Sequence, residues 1–443
     1  MERKSLRRTL ASASWVALAS SSLFLARSAA AEVTLLKSEK EDGWEVFTNG
    51  RVNAFFSWNR GDDIPIAPLD ATGTPLYGFK LAGGTGAGTF ASSRSTNEQG
   101  TVNSMRIRSG FVGNILGLGV RHNLDPQTKV SGYISVWSVV ESEGHRKYFP
   151  NLADVREGYL KIEGPWGSFL GGKALTLFNR GATEADFLYL HGYGLGYPGS
   201  IDVVGPAAGL IGFGVLASTM SGGLVYATPK FAGIQLSAGI YDPAALTGSG
   251  LERTGPVRLE SELTVDEPLG DFGKVHLYLN GAYQKLYRNH QPNDPSETAK
   301  GIGAGGRVEL GLVHLAAGLH RGIGLGIDFA LQPSDATYND ASQLRDSDGY
   351  YAIGQVALGK VDLNLGFGQE RVKPLQEDII AEPATGYPKF SLIKTQTGIA
   401  GAVVYHAADW LHFDVDVMRA DFKWTLNDRQ KIMFYNAGAT LTW

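Results

Sequence analysis

Residues 432–443 place Met433, Tyr435, Ala437, Ala439, Leu441 and the terminal Trp443 at every second position. Mostly small or polar residues lie between them, with Phe434 the exception. A strand sends successive side chains to opposite faces, so this segment shows one apolar face and stops on a large aromatic. A soluble domain has little use for such an ending. A closed barrel in a bilayer does, because an indole sits well at the headgroup boundary.

The other end of the chain agrees with export. Arg3, Lys4, Arg7 and Arg8 precede a largely apolar stretch from Leu10 to Ala26, and Ala29, Ala30 and Ala31 offer small residues for cleavage before Glu32. That is the pattern of a secretory signal peptide over residues 1–31. Its removal takes away five basic groups and one acid, leaving 35 basic against 43 acidic residues, a formal charge of −8. Such a surface is unsuited to nucleic acid. Cysteine is absent, which excludes disulfide frameworks, thiolate zinc sites and cysteine nucleophiles together. The mature chain has no run of 18 apolar residues, so helical spans are excluded. Its slightly negative mean hydropathy does not exclude a barrel, whose strands show lipid only half their residues.

Alternation recurs along the chain. Val361, Leu363, Leu365 and Phe367 alternate with Asp362, Asn364, Gly366 and Gly368. Leu411, Phe413, Val415 and Val417 alternate with His412, Asp414 and Asp416, and Val257, Leu259, Leu263 and Val265 with Arg258, Glu260, Glu262 and Asp266. One face is apolar and the other carries ionisable groups. Short links near 164–167, 230–233, 269–273, 359–360 and 407–409 take turns with long polar ones near 60–103, 175–220, 242–256, 289–298, 327–347 and 375–391. The reading is all-β: a transmembrane antiparallel barrel with long extracellular loops and short periplasmic turns. Strands are expected at 44–59, 104–122, 129–141, 154–163, 168–174, 221–229, 234–241, 257–267, 274–288, 299–310, 312–326, 348–359, 361–374, 392–406, 410–424 and 430–443, 16 in all, with 14 or 18 as alternatives. Residues 207–219 are read as loop, with an extra strand as the alternative. Residues 32–443 then form one barrel domain with an aqueous lumen.

Four segments carry a family resemblance. Residues 108–113 are similar to an Arg-x-Gly-x-x-Gly motif of a second strand, and 156–164 with 166–173 resemble a fourth-strand, turn and fifth-strand passage. Residues 225–234 resemble a Tyr-x-Ser-Pro-x-Phe-x-Gly hairpin, and the terminal strand resembles an assembly signal that usually ends in Phe. In this order they resemble the general trimeric porins of the Gram-negative outer membrane, along nearly the whole mature length. The resemblance implies an outer-membrane homotrimer whose loop after strand five, here about 175–220, folds inward as a constriction. It further implies lipid and lipopolysaccharide around the barrel, an assembly machinery that reads Tyr435, Leu441 and Trp443, no cofactor, and small hydrophilic solutes passing through. Loop acids Glu184, Asp186 and Asp202 would face wall arginines Arg51, Arg108 and Arg156 across a transverse field that sorts solutes by charge. Arg258, Glu260, Glu262, Asp362, His412 and Asp414 would line the lumen. The chain departs from the family near Thr219, Met220 and Ser221, where no further arginine stands, and Tyr197 and Pro198 occupy the region of the family's Pro-Glu-Phe turn.

Duller accounts compete. The competing reading takes the arginines as ordinary solvated lumen residues, and Glu184 and Asp186 as exposed loop acids. Strict alternation with Leu160 and Ile162 sends Arg156 outward unless a bulge intervenes near Gly158. Phe187, Tyr189, Tyr193 and Tyr197 form an aromatic run, either a sugar-stacking track or rings packing the loop on the wall. Tyr133, Trp137, Tyr226, Trp410 and Trp424 are taken as interface girdle. His412 with Asp414, and His314 with His320, lack a nucleophile motif, so catalysis and metal binding are not expected. The glycines at 301, 303, 305 and 306 open no helix and are a poor nucleotide signal. A passive diffusion channel is the expected function, with a sugar-selective porin and a non-conducting surface-binding barrel as alternatives.

Overall fold

The computed structural model describes residues 32–38, 43–62, 65, 67–80, 101–140, 153–188, 209–246, 251, 253–287, 296–331, 337–338 and 343–443. The leader reading for 1–31 lies outside them. The chain runs through β1 (Val33–Lys37), β2 (Glu45–Asp62), β3 (Gly78–Lys80), β4 (Thr101–Arg108), β5 (Asn114–Asp125), β6 (Thr128–Ser138), β7 (Ala153–Gly164) and β8 (Gly167–Leu175). A short helix, α1 (Arg180–Ala185), follows on the inward loop. Then come β9 (Met220–Ala227), β10 (Ile234–Tyr241), β11 (Arg253–Pro268), β12 (Gly273–Tyr287), β13 (Ser296–Leu310) and β14 (Val313–Ile323). The last group is β15 (Asp346–Leu358), β16 (Val361–Val372), β17 (Phe390–Ala408), β18 (Leu411–Trp424) and β19 (Arg429–Thr442), with a helical turn, α2 (Gln376–Ile379), before β17.

Each long strand pairs antiparallel with its sequence neighbours, and β19 closes on β2 from Ile432 opposite Gly61 to Thr442 opposite Arg51. β4 and β5 both pair with β2, one on each half, and count as one interrupted strand. With β1 and β3 set aside the wall is a closed barrel of 16 strands. Closure leaves no open edge, so the ladder satisfies the wall's peptide groups without water, the condition for crossing lipid.

Which way the alternation faces decides between barrel and sandwich. On β16, Leu363, Leu365 and Phe367 are exposed, Leu365 at 66%, whereas Asp362 on the opposite face is 2% exposed. On β18, Phe413, Val415 and Val417 face out while Asp414 and Asp416 face in. A belt of exposed Leu, Val, Ile and Phe around a polar interior is the reverse of a soluble core, and only hydrocarbon makes it favourable. The terminal residue locks the seam. Trp443 and Gly50 exchange backbone hydrogen bonds of 3.1 and 2.9 Å. A Cβ on Gly50 would stand 2.4 Å from the indole, so only glycine admits that ring.

Two readings of the sequence need correction. Tyr226 and Trp410 are exposed as girdle residues should be, but Trp137 and Trp424 are buried on the inner face, and the Tyr133 hydroxyl turns inward to donate to Asn49 Oδ1 at 2.8 Å. Residues 104–122 are not one continuous strand, because residues 109–113 leave the ladder. Residues 209–219 are loop, carrying only isolated bridges.

A charge placed on the outer face tests the lipid reading. Leu365→Arg, at the middle of β16, is expected to cost about 2–4 kcal/mol of stability in vesicles, read from urea-dependent folding. An unchanged midpoint would mean that this face does not meet hydrocarbon.

Candidate functional site

The lumen is shaped by segments that turn inward at the long-loop end. The loop after β8 enters with Leu177 and Phe178 buried and returns through Leu210, Phe213, Val215 and Ala217. Its path is fixed by wall residues. The backbone N–H of Phe178 donates to Glu260 Oε2 at 2.7 Å, and Arg180 forms an ion pair with Glu262. Arg258 Nε lies 3.0 Å from Glu260 Oε1. The hydroxyl of Tyr351 donates to the Ala182 carbonyl at 3.3 Å, and Gln396 donates to the Gly212 carbonyl at 2.7 Å. The glycine row on β13 is the seat for this loop. A Cβ on Gly301 would meet Phe178 at 2.8 Å, and one on Gly303 would meet the Asn179 Oδ1 at 2.2 Å. Asn179 itself takes the left-handed conformation, φ 58°, at the start of α1.

Glu184 is on α1, which packs against β12, β13 and β14, and its carboxylate lies 4.0 Å from Arg180 Nε. Asp186 ties the loop to itself. One carboxylate oxygen accepts from Leu188 N–H and the other from Leu210 N–H, each at 2.8 Å. Two charge-assisted bonds to backbone across a loop of this length are a strong clasp. Asp202, Tyr189, Tyr193 and Tyr197 lie outside the described residues. Phe187 is buried, its ring tilted against that of His314 with centroids 5.8 Å apart.

The wall arginines face inward on the other arc. Arg51 and Arg108 are buried on the first and second strands, and Arg51 Nη2 reaches the Thr440 hydroxyl at 3.5 Å. Arg156 points inward against strict alternation, and the reason is a bulge. Glu157 pairs with Ser135 and Val155 with Val136, leaving Arg156 as the extra residue. Its guanidinium lies 5.2 Å over the Trp137 ring and its Nε 2.9 Å from Asp154.

Near the short-turn end, the remaining candidates join one polar belt across five strands. His314 Nδ1 lies 2.6 Å from Gln355 Oε1, and Gln355 donates to Asp362 and Asn364. Asp362 lies 2.9 Å from His406 Nε2, and the His406 and His412 Nδ1 atoms are 2.6 Å apart. Asp414 is buried on the same face. Sequence reading missed His406, although a two-residue turn at 409–410 sets it opposite His412. Among the described residues no cluster of three or more His, Asp or Glu suits a metal ion.

The long-loop half is apolar instead. Met418, Ala420, Phe422 and Trp424 of β18, with Ile432 and Phe434 of β19, join Phe79, Leu188, Leu210 and Phe213 in one buried cluster. Phe79 meets Trp424 edge-on at 5.1 Å, and β3 lies parallel to the start of β17. Beside it Tyr77 donates to Asp428 at 3.4 Å, and burial lifts that carboxyl above the ordinary range. Phe434 broke the terminal alternation because it faces this cluster.

The interruption of the second strand is also built by one residue. Asn53 Oδ1 accepts from Gly110 N–H at 2.6 Å, and its amide donates to the Val112 and Gly113 carbonyls at 2.9 and 3.1 Å. One side chain thus replaces the missing ladder.

A closed barrel with a lipid-facing belt, a charged inner wall and an inward loop defines a transmembrane channel. The Gram-negative porin family model matches residues 13–387, and the chain belongs to that family. It is an outer-membrane channel for passive diffusion. Solved structures share the fold at low identity. The outer membrane channel DcaP of Acinetobacter baumannii superposes with a TM-score of 0.61 at 13% identity, covering 92% of this chain and 100% of that one. An anion-selective porin from Comamonas acidovorans gives 0.54 at 12%, covering 90% and 100%. Salmonella typhi OmpF, in a complex with daunomycin, gives 0.50 at 12%, covering 92% and 100%. A search by sequence among curated proteins returns no match.

Asn53→Ala tests the strand break. It leaves a buried N–H and two carbonyls without their partner and is expected to cost about 1–3 kcal/mol, measured by urea unfolding from vesicles. No loss of stability would mean that the break holds itself.

Proposed function

We propose that the channel sorts solutes by charge at a constriction between Arg51, Arg108 and Arg156 on the wall and the carboxylates of the inward loop. The observation that carries this reading is the placement of the two sets on different arcs. The arginines stand on the first, second and fourth strands, whereas α1 with Glu184 rests on the strands across the lumen. Opposed charges in a narrow, poorly screened passage order water and act on each solute's charge and dipole. Glu184 is the acid for this role. Asp186 spends both oxygens on backbone and serves as the clasp that keeps Glu184 in place.

We further infer a homotrimer of the mature chain, residues 32–443, in lipid and lipopolysaccharide. Its strand with Tyr435, Leu441 and Trp443 is the element that an assembly machinery would read. The family resemblance supports both points. Glu32, the first residue after the expected cleavage point, pairs with Arg121, which also holds Glu45. That contact suits a chain processed there.

In planar bilayers, Glu184→Gln together with Asp186→Asn is expected to lower the cation-to-anion permeability ratio on the order of twofold. Asp186→Asn alone is expected to broaden the conductance distribution by loosening the loop. Reversal potentials identical to the parent channel would remove the loop acids from the constriction.

A further inference from the structure

We propose that Phe111 and Phe329 form an aromatic crossbar through the lumen and are the residues that set the channel's size limit and ion conductance. The proposal rests on the diffusion-channel reading and adds a constriction without charge to it.

The two rings stack with centroids 5.7 Å apart and planes 23° apart. They come from distant parts of the wall. Phe111 belongs to the break in the second strand, and Phe329 to the loop between β14 and β15, the eleventh and twelfth strands of 16. A barrel of this size otherwise encloses an aqueous lumen, so rings in contact from such separated strands have crossed it. Phe111 and Phe329 are 7% and 9% exposed, and both belong to the apolar cluster that fills the long-loop half.

Both ends are fastened through backbone, which marks the contact as built. Asn53 holds the break and so directs Phe111 and Val112 inward. On the other side Phe329 bridges to Ala217 of the constriction loop. Ala217 N–H donates to the Asp328 carbonyl at 2.8 Å, and Ala330 N–H donates to the Ala217 carbonyl at 2.9 Å. Leu331 N–H returns to the Leu325 carbonyl at 2.8 Å, with Leu331 at φ 62°. The crossbar is therefore coupled to the inward loop as well as to the wall.

Its physics differs from that of the arginines. A hydrated ion passing two phenyl rings must give up water and receives no polar group in exchange. Apolar constrictions of this kind limit conduction by drying. Charge selectivity and throughput should thus be separable, the first with Glu184 and the arginines, the second with the rings.

The test uses full mature chain in planar bilayers and in liposomes swelling with polyethylene glycols of graded size. Folding of each variant is checked by heat-modifiable migration on gels. Phe111→Ala/Phe329→Ala is expected to raise single-channel conductance at least about twofold and to admit larger polymers, with the reversal potential unmoved. Because the chain has no cysteine, Phe111→Cys/Phe329→Cys can be joined by a short bifunctional, thiol-cleavable reagent. Joining is expected to suppress conductance and reduction to restore it. This second arm decides the matter should the alanine pair fail to fold. A parent channel that conducts while neither manipulation changes conductance or polymer limit overturns the crossbar and leaves the channel reading intact. A parent protein that folds but never conducts overturns the channel reading itself.

Discussion

The structure depends on one constraint: in hydrocarbon, a peptide group that finds no partner within the protein finds none at all. The seam between β19 and β2 is where this constraint is discharged, since every other pairing within the 16-strand wall joins strands that follow one another along it. Trp443 over Gly50 finishes the seam. Once the ladder closes, side chains are free to take opposite parts on the two faces. The outer face takes Leu, Val, Ile and Phe, and the inner face is left for function.

The inner face is not uniformly wet. Its short-turn half carries a belt of His, Asp and Gln that hydrogen-bond to one another around the wall. Its long-loop half is an apolar core, made where parts of the loops after β2, β8 and β14 fold inward onto β17, β18 and β19. Several charged residues of the inner wall hold loop rather than meeting solute. Glu260 and Glu262 grip the start of the inward loop, and Asp186 closes it. A buried carboxylate taken up by backbone N–H groups and an arginine is a fastening, and a channel needs fastenings because its loops must stay put while solute and water move past them.

Much of this was legible in advance. The strands, their number and their outward faces follow from period-two alternation, which depends only on near neighbours in the chain. Arg156 shows the limit of that rule. Its position matched a wall arginine but its parity was wrong, and a single extra residue, visible only in the pairing of Glu157 and Val155 with β6, turned it inward. Trp137 and Trp424 failed for a related reason. An aromatic at a strand end suits a girdle or a loop-filled lumen equally, and nothing local distinguishes them. The glycines of β13 read from the sequence only as a poor nucleotide signal, and in the fold they are a seat for the inward loop.

By itself the sequence determined an exported barrel, greasy outside and charged within, because those properties are written residue by residue in alternation, termini and turn lengths. Tertiary structure alone decided what the inward side chains do. Asp186 became a clasp only because Leu210 returns beside it, and Phe111 met Phe329 only because Asn53 breaks the second strand and a distant loop folds in. Those outcomes rest on contacts between residues far apart in the chain, which local periodicity cannot encode.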